Sequence, residues 1–128
     1  MPQPRIDLPG GLRVPTPDPA AAAMARHLDA FRRRDLEALL ADYAEDAVLL
    51  LPDGPRRGRG EIRAFFGVFL DTLPPGFLEG FRIRRLESTG PVGYLLWEAR
   101  PWVEVGMDTF VMEEDRIRTQ TFASAPPA

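Results

Sequence analysis

Cysteine and lysine are both absent from the 128 residues, and histidine occurs once, at His27. Without cysteine there is no disulfide framework and no thiolate nucleophile, and a reducing, cytoplasmic setting is the default expectation. One histidine and no cysteine cannot supply the clustered nitrogen and sulfur ligands that zinc or copper needs, so no metal and no cofactor is expected. Every one of the 16 basic residues is arginine, which, with the many Ala, Gly and Pro, points to a GC-rich bacterial genome. No apolar run is long enough to cross a bilayer. The opening MPQPRIDLPGGLRVPTPDP is broken by prolines and lacks the apolar centre of a secretory leader. Serine stands only at 88 and 124 and no G-x-S-x-G occurs, which argues against covalent serine catalysis. Net charge is −3, and acids interleave with the arginine clusters at 32–34 and at 56, 57 and 59. A nucleic-acid partner is therefore not expected. The loop PRRGRG lacks the spacing and lysine of a phosphate-binding loop and reads as a solvated turn.

What remains suits one domain with one core. Residues 1–17, with five prolines and Gly10-Gly11, read as an extended arm. The domain proper spans 18–124, and 125–128 form a short tail. Asp18 followed by Pro19 suits a helix start, and Ala20, Met24, Leu28 and Phe31 recur at helical spacing. Asp35 caps a second helix, LEALLADY. The apolar run AVLLL (47–51) is a strand that ends in the turn-rich LPDGPRRGRG. From Gly60, Ile62, Phe65, Phe66, Phe69, Leu70 and Leu73 fall on one helical face, and Pro74-Pro75-Gly76 ends it. GFRIRRLES, GYLLWEAR, EVGMDTFVM and RIRTQTFAS then follow as antiparallel strands, with a bulge expected at Arg84-Arg85. Helices early and strands late indicate an α+β class, the helices packed on one face of a curved, mostly antiparallel sheet. Such a sheet leaves a hollow suited to a small molecule.

Asp108 is the anomaly: a carboxylate inside VGMDTFVM, with the strand parity of Phe110 and Met112. A buried carboxyl must be paired, wetted or protonated. It is either a proton-transfer group facing a substrate or a structural acid paired with Arg100, Arg118 or a backbone amide. His27, at the edge of the first helix's apolar stripe, is the second acid/base candidate; its alternative is a hydrogen-bonded helix residue. Two titratable groups in one apolar pocket would push each other's pKa values apart. Phe31, Phe65, Phe69, Trp97, Phe110 and Phe122 are core candidates, some of which would line the pocket. Tyr43 fits the turn after the second helix with its hydroxyl inward. Gln120 shares parity with Phe122 and would place an amide in the cavity. Glu98 and Arg100 share parity as well and suit a solvated edge.

The stretch HLDAFRRRDLEALLADYAEDAVLLLPDGPRRGRGEIRAFF, with the closing DTFVMEEDRIRTQTF, resembles SnoaL-like proteins of the nuclear transport factor 2 superfamily. The resemblance covers about residues 20–124. It implies a cone-shaped α+β barrel, of the cystatin-like type, with a deep apolar pocket, often in a homodimer that packs sheet faces together. It also implies small apolar ligands. MDTF matches the strand in which ketosteroid isomerases carry a catalytic Asp, and this places Asp108 there; such an acid can be held protonated in an apolar site. The isomerase's general base falls on Leu51 and its oxyanion tyrosine on His27. The implied activity is cofactor-independent acid/base chemistry of isomerase, cyclase or dehydratase type on an apolar carbonyl compound such as a polyketide, terpenoid or steroid. The alternative is a non-catalytic ligand-binding or dimerisation module, since one superfold hosts many functions.

Overall fold

The computed structural model describes residues 18–127 in full, and 5–7 and 13–15 as backbone. Two short strands, β1 (Arg5–Asp7) and β2 (Arg13–Pro15), pair antiparallel, with Ile6 opposite Val14. The rest of the expected arm, and Ala128 of the tail, lie outside the described residues. Helix α1 (Pro19–Arg32) starts as its sequence predicts, with Asp18 at the N-cap and Pro19 in the first turn. The Asp18 carboxylate accepts from Ser88 Oγ at 3.3 Å. Helix α2 (Leu36–Ala41) is capped by the Asp35 side chain, which accepts from Ala38 N at 3.0 Å. Strand β3 (Tyr43–Leu51) begins earlier than expected, so Tyr43 belongs to the sheet and not to a turn.

The PRRGRG stretch also departs from expectation. Gly54–Arg57 form β4, paired antiparallel with β3 through Val48–Arg57 and Leu51–Gly54, so the loop is an edge strand and not a free turn. Helix α3 (Gly58–Asp71) follows at once and buries Ile62, Phe66 and Leu70. A short helix, α4 (Phe77–Gly80), leads into β5 (Phe81–Thr89), β6 (Val92–Ala99), β7 (Val103–Glu113) and β8 (Arg116–Ala125). The six-stranded sheet runs β4-β3-β8-β7-β6-β5; β3 and β8 are parallel and every other pair is antiparallel. The edge strands β4 and β5 are not joined, so the sheet is curved but open, not a closed barrel. Register shifts at Ile83/Arg85, Trp97/Ala99 and Val111/Met112 accompany the curvature, because bulges bend a strand and increase its twist.

Helix α1 fills the concave face. Ala20, Ala23, Met24, His27, Leu28 and Phe31 are all buried there. Gly93 of β6 makes this close approach feasible: a Cβ at that position would lie 2.8 Å from Met24 Cε and 3.2 Å from Ala20 Cβ. This contact sets the depth of the helix, and hence of His27 one turn further along.

Candidate functional site

Strand alternation places Asp108 inside. Gly106, Asp108, Phe110 and Met112 are buried, while Met107 and Val111 between them are exposed. Asp108 is only 5% exposed. Its two oxygens are held separately: Trp97 Nε1–H donates to Oδ1 at 2.9 Å, and Gln120 Nε2–H donates to Oδ2 at 2.8 Å. Behind Gln120, the Tyr43 hydroxyl donates to Gln120 Oε1. Neither arginine considered as a partner reaches the acid. Arg100 pairs with Glu98 and Glu104, and Arg118 pairs with Asp46.

Burial raises the Asp108 carboxyl from 3.8 to about 6, against the opposing pull of the two donors. The cause is desolvation, which disfavours the charged form. Neutral-to-ionic exchange of this group therefore falls close to neutral pH. His27 moves the other way, from 6.5 down to about 4, because its cation would be fully desolvated. It is neutral at pH 7. Its ring sits edge-on to Phe110, Tyr43 and Phe66, with the Phe110 centroid 5.2 Å away. Its Nδ1 is buried without a hydrogen-bond partner among the described residues.

Asp108 and His27 share the wall of one cavity, with Leu28, Phe31, Phe66, Phe69, Phe81, Leu95, Trp97 and Phe122. Its volume is about 30 Å³, room for roughly one water molecule. Of the aromatic candidates, Phe31, Phe69, Trp97 and Phe122 lie on this wall. Five other candidates lie off the wall. Tyr43 and Gln120 are fully buried behind Asp108 and act on it through hydrogen bonds. Phe110 packs edge-on against His27 and is not on the wall. Phe65 turns outward to a surface trough with Arg56 and Val68, and Leu51 is half-buried at the end of β3. Sequence reasoning passed over Leu28, Phe66, Phe81 and Leu95 as lining. Leu28 and Phe66 were visible on their helical stripes, and Leu95 has the parity of Trp97 and pairs with Asp108 in register. Among the described residues no three of His, Cys, Asp and Glu converge to hold a metal ion, and no helix is long and apolar enough to cross a membrane.

A curved open sheet folded over helices, with a buried acid on its concave face, defines a class of α+β pocket proteins. Residues 24–120 match the SnoaL-like domain family, and the chain belongs to it. Its fold is that of the nuclear transport factor 2-like, or cystatin-like, proteins. The chain is similar to a SnoaL-like protein of unknown function from Burkholderia thailandensis E264, at 18% identity and TM-score 0.71, covering 84% of this chain and 95% of that one. It is similar also to a candidate ketosteroid isomerase from Kribbella flavida DSM 17836, at 19% identity and TM-score 0.65, over 86% and 80% of the two chains. A candidate polyketide cyclase from Sinorhizobium meliloti matches at 15% identity and TM-score 0.65, over 80% and 94%. No curated protein matches the chain.

Proposed function

We propose that this protein is a cofactor-independent acid/base enzyme acting on a small apolar carbonyl compound of polyketide, terpenoid or steroid type. The observation that carries the reading is the joint presence of Asp108 and His27 on one aromatic cavity wall, shifted in opposite directions by burial. A carboxyl with a value near 6 is mostly ionised at pH 7 yet basic enough to accept a proton from a carbon beside a carbonyl. Two donors on Asp108 suit a carboxylate better than a protonated acid, so the base role is favoured over hydrogen-bond donation. Neutral His27 then donates a hydrogen bond to the enolate oxygen as charge develops there. Return of the proton to another carbon gives isomerisation. Attack of the enolate on a second carbonyl, with the abstracted proton passed from Asp108 to the new alkoxide, gives cyclisation. Loss of a β-hydroxyl as water, that proton going to the leaving oxygen, gives dehydration. The half-buried Phe69 and Phe122 must swing aside to admit such a substrate, since ligand pockets usually measure ~300 Å³ or more. Asp108→Asn keeps the shape and removes the base. Turnover of a carbonyl substrate should fall by about a hundredfold or more, with the fold intact by circular dichroism. Full activity in that variant would refute the reading.

The small cavity favours a second reading, a non-catalytic module of the same fold. A crystal soaked with apolar carbonyl compounds separates the two: a bound ligand within reach of Asp108 supports the enzyme. The protein also pairs as a homodimer in this proposal. Leu50, Val92, Met107 and Val111 are exposed on the outer face of the sheet, where Val92 lies opposite Val111. A cytoplasmic location fits the cysteine-free composition.

A further inference from the structure

Gly106 stands directly opposite Trp97 in the β6–β7 register, two residues before Asp108 on the same inner face of β7. Its backbone is not among the positive-φ positions, so conformation does not demand glycine there. Space does. A Cβ built on Gly106 would lie 2.5 Å from Trp97 Cδ2, and closer still to Cε2 and Cζ2. Cε2 is bonded to Nε1, so the edge of the indole that carries the N–H is the part lying on the glycine. The ring cannot yield easily, being rigid and boxed in by Phe77, Phe81 and Phe122.

We propose that Gly106 is a positioning residue for Asp108, acting through Trp97: the bare backbone lets the indole lie flat on β7, which aims Nε1–H at Oδ1. The importance of this aim rests on the reading of Asp108 as the proton-transfer group. Gln120, held from behind by Tyr43, fixes the other oxygen. With both oxygens clamped, the carboxylate is held in one orientation on the cavity wall. Any side chain at 106 lifts the indole toward that cavity, so the same residue governs the bond and the free space. Oriented donors of this kind hold a reacting group in place without reorganisation.

The test is a ¹³C NMR titration of the Asp108 carboxyl in three proteins: the native chain, Gly106→Ala, and a chain with benzothienylalanine at 97, which keeps the ring shape but has sulfur in place of N–H. Loss of one hydrogen bond to the charged form should raise the titration midpoint by about one pH unit in both variants. In a Trp97→Leu background, adding Gly106→Ala should give no further shift, because no indole remains to be displaced. A Gly106→Ala midpoint equal to the native one overturns the proposal. If that variant does not fold, an unshifted midpoint in the benzothienylalanine protein overturns it equally. The titration requires no turnover, so the positioning unit and the proposed chemistry stand or fall separately.

Discussion

Removing either buried titratable group should uncover the other in the pH dependence of stability. The Asp108 carboxyl is raised from 3.8 to about 6. The native state therefore holds its proton more tightly than the unfolded chain, and this contribution to stability is complete below pH 3.8 and lost as pH rises through 6. A shift of roughly two units corresponds to about 3 kcal/mol. His27 is depressed from 6.5 to about 4. Its contribution is complete above pH 6.5 and lost as pH falls through 4, again about 3 kcal/mol. Between pH 4 and 6 the slopes oppose and nearly cancel in the native protein. Asp108→Asn removes the falling limb. Relative to the native chain, its stability should climb with pH by about 1.4 kcal/mol per unit across that window. The Gln120 amide can flip to accept from the new amide, with Tyr43 then accepting from Gln120, so the hydrogen-bond chain closes again. His27→Met removes the rising limb and should give the opposite slope. Urea unfolding followed by tryptophan fluorescence at pH 4, 5, 6 and 7 measures both. The surface carboxylates are common to all three proteins and drop out of the differences. Parallel curves for native and variant chains would refute the assignment of either shift.

Phe122→Ala should cost about 2 kcal/mol, less than a fully buried phenylalanine, and should increase uptake of a flat apolar fluorescent probe; unchanged probe binding would mean that Phe122 does not close the cavity. Gly93→Ala should destabilise by about 1–3 kcal/mol through the clash with Met24 and Ala20, with part of the loss restored by Met24→Ala in urea titrations. For the homodimer proposed above, Met107→Glu should shift sedimentation toward the monomer, because a carboxylate within a sheet-face contact would be desolvated; sedimentation identical to the native chain counts against that interface.

The fold was legible because it rests on local patterns. Period 3.6 in Ala20, Met24, Leu28 and Phe31, the Asp35 cap, and the alternation around Asp108 each need only neighbouring residues to be read. The inward direction of Asp108 followed from Phe110 and Met112 alone, and His27 from the edge of a helical stripe. Missing from that picture was everything set by distant strands. Locally, LEALLADY reads as helix and AVLLL as the first strand-like run, which leaves Tyr43 in the turn after the helix, yet its pairing with Ile117 across the parallel β3–β8 ladder makes it a strand residue. Gln120 was placed in the cavity by parity, which gives a face but not a depth. The bond to Asp108 depends on the 12-residue hairpin separation and on the sheet's curl.

The chain's own order of residues thus determined helices α1 to α3, strands β3 and β5 to β8, the α+β class and the inward face that carries the acid, but not α4 or the edge strand β4. Tertiary structure alone decided the partners of Asp108, the size of the hollow and which aromatic side chains line it. The physical reason is range. Periodicity and capping are set within a few residues, whereas desolvation, hydrogen-bond pairing and void volume depend on where the curved sheet brings remote side chains to rest.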